Sequence, residues 1–367
     1  MPVITPRIRL RRPLKGRSAF APKSAVSDRL SDLEGPRDNP GNLRGRFYLP
    51  PGLTGAVPLV VVLHGCTQDA AVYDHGSGWS TLADRHGFAL LYPEQKRANN
   101  PMLCFNWFSP DHAARGKGEA ASVRAMVEAM QAQHPIDADR IFVTGLSAGG
   151  AMAAVMLSTY PETFAGGAII AGVPFGCADS VGDAFECMAG RGRSDSAALA
   201  RQVRRASRHD GPWPRVQIWQ GTSDHTVAAS NADALALQWA QIHGLNAGPD
   251  RLDEVEGYPR RTWTAANGTP LIEQYSITGM AHGVPLASGG DDSVGAAGAH
   301  MLDVGLSSTA HIAAFFGIAQ GSKVKAPAPR AAETPPSPPR ERPKPAEQVR
   351  GPQAVIEKAL RAAGLMR

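Results

Sequence analysis

The chain lacks several features that would assign it to a specialised class. No apolar run approaches the roughly 18 to 20 residues that a membrane-spanning helix needs. The N-terminal 25 residues are basic but contain no apolar core of the kind found in secretory signals. Only four cysteines occur in 367 residues, and no two form a Cys-x-x-Cys pair. The sequence therefore predicts no membrane-spanning helix, no recognisable secretory signal and no bound metal.

The four cysteines allow two interpretations. They can form two disulfides, in which case we favour Cys66–Cys104 and Cys177–Cys187, the second of which closes a short loop. They can equally be four buried thiols. Paired cysteines indicate an extracellular protein, whereas the missing signal indicates a cytoplasmic one.

The net charge of +5 is concentrated at the two ends of the chain. Residues 1–46 carry 11 Lys and Arg against 4 Asp and Glu, and residues 318–367 carry 10 against 4. Residues 47–317 hold 17 basic and 25 acidic residues, so the middle of the chain is acidic. A groove that follows phosphates needs the opposite distribution, and we predict that the central domain binds no nucleic acid.

Composition divides the chain into four parts. Residues 1–43, rich in Arg, Pro and Ser, are predicted to be a disordered basic segment, and residues 44–317 a folded domain. Residues 318–350 are predicted to be a Pro-rich linker. Residues 351–367 have the spacing of a short amphipathic helix, which either docks on its own domain or frays, or else binds a partner or a surface. We favour docking or fraying, because so short a helix is marginal alone.

Residues 44–317 alternate short apolar runs with segments of helical spacing. Pro58–His64 is apolar up to its last residue, as expected for a strand buried on both faces of a parallel sheet. The helix predicted over Trp79–His86 ends at Gly87, a residue typical of helix C-termini. Strands that alternate with helices predict an α/β fold with a mostly parallel sheet flanked by helices.

A serine between two glycines stands where a strand gives way to a helix. The strand Arg140–Thr144 leads into Gly-Leu-Ser-Ala-Gly, centred on Ser147, and a helix is predicted over Ala148–Thr159. This pattern is typical of a nucleophile elbow, a tight turn that exposes a serine hydroxyl at the carboxyl end of a sheet. A serine hydroxyl is a poor nucleophile without a base, so the pattern calls for a histidine and a carboxylate.

Both partners follow later strands in the order that this fold requires. Asp224 follows the strand Val216–Gln220, and His282 follows the strand Leu271–Thr278. We therefore predict that Ser147 is the nucleophile, Asp224 the acid and His282 the base. Other candidates are weaker because they precede a strand, adjoin Asp224 or lie beyond the last loop: Asp210, His225, His300 and His311.

An acyl-transfer reaction also needs two N–H donors aimed at the oxyanion. One is predicted to be the backbone N–H of Ala148, directly after the nucleophile. The other should come from the loop His64–Gln68 that follows the apolar strand. The N–H of Cys66 is the first choice and that of Thr67 the second.

The segments LHGCTQDAAVY, LLYPEQ, CFNWF, GLSAGGAMA and WQGTSDHTV resemble the poly(3-hydroxybutyrate) depolymerase family of esterases and occur in family order. The family has the α/β-hydrolase fold and includes feruloyl and acetylxylan esterase relatives. The resemblance covers about residues 44–317. It implies that Ser147, Asp224 and His282 form the catalytic triad and that Cys66 and Ala148 frame the oxyanion hole.

The resemblance also implies an activity and a location. It implies a serine esterase, without a cofactor, that hydrolyses poly- or oligo-(3-hydroxybutyrate) or related short-chain esters through an acyl-enzyme. The family is usually secreted, which favours an extracellular protein and supports a Cys66–Cys104 bridge near the site.

An aromatic cluster lies between the predicted oxyanion loop and the first long helix. Phe105 and Trp107 are predicted to bind substrate together with Thr67, although core packing accounts for the aromatic residues equally well. The stretch Pro174–Pro214, rich in Gly, Ser and Arg, is predicted to cover the site.

Two other functions stay open. The chain can be a feruloyl- or acetylxylan-type esterase, or a peptidase, of the same fold. It can also be a non-catalytic protein whose basic tails bind a granule or an anionic surface, but a complete triad argues against that reading. The sequence predicts an ester substrate as the partner and leaves the oligomeric state open.

Overall fold

The structure is a computed structural model that describes residues 28–35, 38–192, 195–290 and 293–319. Most of the predicted linker and the predicted C-terminal helix lie outside the described residues. The strands are β1 (Ser31–Asp32), β2 (Arg44–Tyr48), β3 (Val57–Leu63), β4 (Ala89–Glu94), β5 (Ile136–Leu146), β6 (Gly166–Ile170), β7 (Arg215–Gly221), β8 (Arg251–Val255), β9 (Tyr258–Thr264), β10 (Pro270–Ile277), β11 (Val284–Leu286) and β12 (Met301–Asp303). The helices are α1 (Ala70–Ser77), α2 (Trp79–His86), α3 (Gly118–Gln133), α4 (Ala148–Thr159), α5 (Val181–Met188), α6 (Ser196–Ser207), α7 (Ser230–His243) and α8 (Ser308–Phe316).

Among the described residues, ten strands form one sheet in the order β1-β2-β4-β3-β5-β6-β7-β10-β9-β8. The six strands from β4 to β10 in this order are parallel, and the strands outside them are antiparallel. The parallel centre confirms the predicted α/β fold. It also brings the carboxyl ends of β3, β5, β7 and β10 to one edge of the sheet, where ligands bind in folds of this kind.

Helices cover both faces of the sheet, and the side chains of β3 alternate between the two cores. Val61 and Leu63 pack in the core that α3, α4 and α7 cover. Val60 and Val62 pack in the opposite core, together with side chains of α1, α2 and α8. All seven residues of β3 are buried, which explains why its sequence is uniformly apolar.

The described fold begins N-terminal to residue 44, the predicted domain boundary. β1 pairs antiparallel with β2 at the edge of the sheet. The buried side chain of Arg46 on β2 donates to the Asp28 carboxylate at 2.9 Å and to the Leu30 carbonyl at 2.5 Å. These contacts attach the two-residue strand to the domain, and such a short strand has no periodicity that a sequence could reveal.

Other elements also differ from the prediction. Helix α1 and the antiparallel strands β8 and β9 were not predicted, since β8 (RLDEV) is a charged edge strand. The stretch Pro174–Pro214, for which no helix was predicted, contains α5 and α6. Within the part of the chain that the structure describes, no helix has the length and apolar character needed to cross a membrane.

Candidate active site

Ser147 occupies a tight turn between β5 and α4. Its backbone has φ 56° and ψ −118°, in the region that L-residues rarely adopt. Two backbone hydrogen bonds hold it there, because its N–H donates to Ile170 at 2.9 Å and its carbonyl accepts from Ala151 at 2.8 Å. The turn therefore presents Ser147 at the carboxyl edge of the sheet, as the sequence pattern predicts.

The two glycines that flank the serine are required by close backbone contacts. A Cβ at Gly145 would lie 2.4 Å from the carbonyl oxygen of Gly149, and one at Gly149 would lie 2.2 Å from that of Leu63. Neither distance leaves room for a side chain. The glycines therefore let α4 approach β3 and β5 closely, which fixes the start of α4 against the oxyanion loop.

His282 and Asp224 meet although 58 residues separate them. The Nδ1 atom of His282 lies 2.7 Å from Oδ2 of Asp224. Because an ionised carboxylate only accepts hydrogen bonds, Nδ1 carries a proton and Nε2 is left as the basic nitrogen. The Asp224 carboxylate also accepts from the N–H groups of Thr226 and Val227 at 2.8 and 2.9 Å, and from the Gln220 amide at 3.0 Å.

These contacts keep Asp224 ionised. Burial alone raises the pKa of the Asp224 carboxyl, since it disfavours the charge. The hydrogen bond from His282 and the N–H groups of Val227 and Thr226 outweigh burial, so the pKa of the Asp224 carboxyl lies below its ordinary value. At neutral pH, Asp224 is therefore a charged acceptor for the His282 N–H.

Ser147 and His282 line the same cavity, which has a volume of about 300 Å³. No hydrogen bond joins the Ser147 hydroxyl to the His282 ring in this structure. Such bonds are often long in unliganded enzymes and shorten when substrate binds. Six other residues form what we call the cavity wall: Met102, Trp107, Phe108, Val181, Phe185 and Met188.

Two backbone N–H groups beside Ser147 are free to bind an oxyanion. Those of Cys66 and Ala148 donate to no acceptor among the described residues, and both residues line the cavity. The N–H of Thr67 donates to the carbonyl of Met102 at 2.6 Å. Thr67 lines the cavity but its N–H is occupied, which leaves the first-choice pair of donors, Cys66 and Ala148, available.

A buried histidine shapes the loop that bears Cys66. The Nε2 atom of His64 accepts from the N–H of Gln95 at 3.0 Å, so its Nδ1 carries the proton that meets the Gly65 carbonyl at 2.8 Å. The N–H of Gly65 donates to the Gln68 side chain at 2.9 Å. Burial lowers the pKa of His64, which keeps the ring neutral and this network intact.

Both disulfides favoured from the sequence are present, and the alternative of four buried thiols is wrong. Cys66–Cys104 ties the oxyanion loop to the segment that carries Met102 and Trp107. Cys177–Cys187 ties the last turn of α5 to the chain that precedes it. Each bridge therefore restrains one side of the cavity.

Glu119 is a buried carboxylate that no sequence pattern indicated. It is fully buried at the start of α3 and accepts from the Gln95 amide at 2.7 Å. It also accepts from the backbone and side-chain nitrogens of Asn106, at 2.7 and 2.5 Å. Burial raises the pKa of Glu119 although these donors oppose it. The carboxylate therefore joins the segment 104–108 to the start of α3 and to Gln95.

The three residues predicted to bind substrate have different positions. Trp107 and Thr67 line the cavity. Phe105 does not, because its side chain is fully buried in the core with its ring 5.0 Å from that of His64. The prediction for Phe105 was therefore wrong, and core packing accounts for it.

Helix α5 forms the opposite side of the cavity wall. The stretch predicted to cover the site contributes Val181, Phe185 and Met188 of this helix to the wall. Asn231, buried at the start of α7, donates to the carbonyls of Cys187 and Met188 at 3.0 and 3.2 Å. These hydrogen bonds fix the C-terminal end of α5, and no sequence pattern indicated them.

The structure also shows where the four weaker candidates for the acid and the base lie. Asp210 and His225 are exposed, and His311 lies 3.5 Å from Glu256. His300, which the sequence placed beyond the last loop, lines the cavity beside His282. Within the described ranges, no three His, Cys, Asp or Glu side chains are grouped so that they could hold a metal ion.

Comparison with known proteins identifies the family of the chain. The model of the esterase PHB depolymerase family matches residues 43–255. The chain belongs to this family. It is therefore a carboxylic ester hydrolase with the α/β-hydrolase fold, as its sequence motifs imply.

Individual relatives agree with this assignment. The chain is 48% identical over 282 residues to poly(3-hydroxyalkanoate) depolymerase C of Paucimonas lemoignei, an alignment that covers 76% of this chain and 68% of the relative. It is 30% identical over 282 residues to acetylxylan esterase A of Aspergillus oryzae, with 74% and 88% covered. The solved acetyl xylan esterase of Aspergillus awamori is 25% identical and superimposes with a TM-score of 0.68, which covers 79% of this chain and 99% of that one.

Proposed function

We propose that the cavity at the ends of β5, β7 and β10 is the active site and that it works through a Ser-His-Asp triad. In this proposal Ser147 is the nucleophile, His282 the general base and Asp224 the group that orients His282. Cys66 and Ala148 supply the oxyanion donors. The folded domain that carries these residues is the catalytic domain.

The reaction begins when Nε2 of His282 takes the proton of the Ser147 hydroxyl and Oγ attacks the ester carbonyl carbon. The negative charge that develops on the carbonyl oxygen is stabilised by the N–H groups of Cys66 and Ala148. When the intermediate collapses, His282 gives its proton to the departing alcohol. Water then attacks the acyl-enzyme by the same steps and releases the acid.

The single observation that carries this proposal is the hydrogen bond between His282 and Asp224. It fixes the proton on Nδ1, so the opposite nitrogen is basic, and His282 lines the same cavity as Ser147. The free N–H groups of Cys66 and Ala148 beside Ser147 are the second support. One missing oxyanion donor costs about 10² to 10³ in kcat in related chemistry, so both are needed.

The proposed substrate is an ester of a short hydroxyalkanoic acid, in a polymer or an oligomer. Support comes from the 48% identity to a protein named poly(3-hydroxyalkanoate) depolymerase C. The cavity wall also suits such a chain, because its aliphatic and aromatic side chains offer little hydrogen bonding. Trp107 and Thr67 are the proposed substrate contacts. An acetylxylan-type ester is the second candidate, supported by the relative from Aspergillus oryzae.

We also propose that the protein acts outside the cell. Two disulfides form among the described residues, and disulfides persist in oxidising compartments. The intact mass of protein recovered from its native host, measured under alkylating conditions, should show both bridges. Four alkylated thiols would contradict the proposal.

The experiment that tests the function compares the wild type with Ser147→Ala on three esters: p-nitrophenyl butyrate, a soluble 3-hydroxybutyrate oligomer and acetylated xylan. Ser158→Ala is the matched control, because Ser158 is a buried serine of α4 whose hydroxyl donates to the Ala154 carbonyl. We expect Ser147→Ala to lose about 10⁵-fold or more in kcat on every ester, and Ser158→Ala to keep most of its activity.

The pattern of rates separates the two substrate classes. A higher kcat/KM on the hydroxybutyrate oligomer than on acetylated xylan supports the proposed substrate, and the reverse order supports the second candidate. Full activity of Ser147→Ala on all three esters would overturn the triad.

A further inference from the structure

His300 makes two hydrogen bonds to the loop that carries His282. The Nδ1 atom of His300 lies 3.2 Å from the carbonyl oxygen of His282. The carbonyl oxygen of His300 accepts the N–H of Val284 at 2.8 Å. The side chain and the backbone of His300 therefore bind the two ends of the segment 282–284.

The residue between these contacts has no space for a side chain. A Cβ at Gly283 would lie 2.8 Å from the carbonyl oxygen of His300. Directly after it, β11 pairs with β12 in parallel, beginning with Val284 opposite Met301. The loop of His282 is thus packed against the backbone at His300.

The two imidazole rings also touch. Their centroids are 5.8 Å apart and their planes meet at 77°, so the edge of one ring faces the other. A carbonyl oxygen only accepts hydrogen bonds, which means that Nδ1 of His300 carries its proton. In the neutral ring, Nε2 of His300 therefore has no proton.

We propose that His300 is a positioning residue that sets the orientation of the His282 ring toward Ser147. This proposal rests on the proposed function, in which His282 is the base. The hydrogen bond to Asp224 restrains the His282 ring at Nδ1. His300 supplies two further restraints, a hydrogen bond to the His282 carbonyl and an edge contact to its ring.

The backbone at position 300 limits the side chains that can perform this role. His300 has φ 59°, in the left-handed region where Asn, Asp and His are enriched among non-glycine residues. Asparagine also places an amide nitrogen close to the position of the histidine Nδ1. His300→Asn should therefore keep the hydrogen bond to the His282 carbonyl, whereas His300→Leu has a similar shape and no donor.

The test measures kcat and KM on p-nitrophenyl butyrate for the wild type, His300→Asn and His300→Leu. A displacement of about 1 Å in a catalytic group costs up to about 100-fold, and we expect His300→Leu to lose about 10-fold in kcat with little change in KM. His300→Asn should stay within about 3-fold of the wild type for the same reason. His300→Gly, which accepts a positive φ and lacks the donor, replaces the leucine variant if that variant does not fold.

A proton NMR measurement reads the position of His282 without relying on activity. The Nδ1 proton between His282 and Asp224 should give a low-field resonance in the wild type and in His300→Asn. In His300→Leu or His300→Gly this resonance should broaden or move. Because it is measured without substrate, the resonance tests the positioning even if Ser147→Ala turns out to be active and the proposed function fails.

Two results would overturn the proposal. In the first, the variants without a donor keep both the wild-type kcat and the wild-type resonance. In the second, His300→Asn is as impaired as His300→Leu, which would show that the hydrogen bond from position 300 has no part in the effect.

Discussion

Ser147, Asp224 and His282 each lie on a loop that directly follows a parallel strand of the sheet. The cavity wall is built differently, because Trp107 comes from the long connection between β4 and α3 and Phe185 from the one between β6 and β7. These three residues form what we call the strand-following side of the site. The sheet itself fixes their positions, since parallel strands bring their carboxyl ends to one edge. Disulfides and buried hydrogen bonds fix the position of the cavity wall.

This difference predicts how the strand-following side and the cavity wall should respond to substitutions. A residue on a strand-following loop has a position that the whole sheet defines, so substitutions there should alter chemistry more than structure. The cavity wall depends on a few cross-links, each of which can be removed singly. Substitutions in the wall should therefore alter stability and substrate preference more than the chemical step.

The largest effect expected on the strand-following side, after the loss of Ser147, comes from Asp224→Asn. The asparagine amide would donate to Nδ1 of His282 and leave the proton on the wrong nitrogen, which costs about 10⁴ in kcat in a related triad. Steady-state rates on p-nitrophenyl butyrate measure the loss. Asp250→Asn is the control, because Asp250 likewise accepts a backbone N–H, from Thr264, but the hydrogen bond of His282 goes to Asp224. Similar rates for both variants would contradict the assigned role.

The second-largest effect is expected for the Cys66–Cys104 disulfide, which joins the oxyanion loop to the segment that carries Met102 and Trp107. Replacing Cys66 and Cys104 by serine should lower kcat by about 10- to 100-fold, less than the 10² to 10³ for a missing oxyanion donor, because the loop loosens but keeps its N–H groups. The bridge spans 38 residues and should contribute about 4 kcal/mol to the free energy of unfolding. Urea denaturation and ester hydrolysis measure the two losses.

The other bridge provides the matched comparison. Replacing Cys177 and Cys187 by serine removes a 10-residue bridge worth about 3 kcal/mol and loosens α5. We expect kcat on p-nitrophenyl acetate to change little, while the preference for butyrate over acetate weakens because α5 lines the cavity. If both double variants lose kcat equally, the division between the two sides of the cavity does not hold.

Glu119→Gln should lower the free energy of unfolding by less than the loss of either disulfide does. The glutamine would place an NH₂ group among the donors of Gln95 and Asn106, and a buried donor without an acceptor costs about 1 to 3 kcal/mol. Glu128→Gln is the control on the exposed face of α3. Thermal unfolding should show a lower Tm for Glu119→Gln only, and an unchanged Tm would contradict the role of Glu119 in holding the segment 104–108.

The smallest effect expected is the pH dependence of stability at Asp224. The folded protein lowers the pKa of this carboxyl, so the folded state binds fewer protons than the unfolded state in acid. The stabilisation is present above the ordinary carboxyl pKa of about 4 and is lost as the pH falls through the lower folded pKa. The difference in unfolding free energy between the wild type and Asp224→Asn should therefore shrink below about pH 4. A difference that grows in acid would contradict this sign.

The sequence indicated the strand-following side well because its signals are local. Helices α2 and α4 have the predicted bounds, and the glycines beside Ser147 mark a turn that only small residues allow. The order of Asp224 and His282 follows from the succession of strands and helices. The resemblance to an esterase family was confirmed by the family comparison.

The sequence indicated Trp107 and the stretch Pro174–Pro214 of the cavity wall, but not the contacts that hold the wall or the position of His300, because those signals are tertiary. The burial of Glu119 and the capping of α5 by Asn231 arise only when distant segments meet. Phe105 and Trp107 belong to one aromatic cluster, yet one is in the core and the other lines the cavity. His300 reaches His282 only through the pairing of β11 with β12, two three-residue strands that no periodicity reveals.

The most direct test of the proposed catalytic mechanism is covalent labelling of the nucleophile. The wild type, Ser147→Ala and Ser158→Ala are treated with a fluorophosphonate, and the intact mass and the modified peptide are then determined. We expect one phosphonyl group per chain on Ser147 in the wild type and in Ser158→Ala, with none on Ser147→Ala. Labelling at another residue, or no labelling of a protein that hydrolyses esters, would contradict the proposal that Ser147 is the nucleophile.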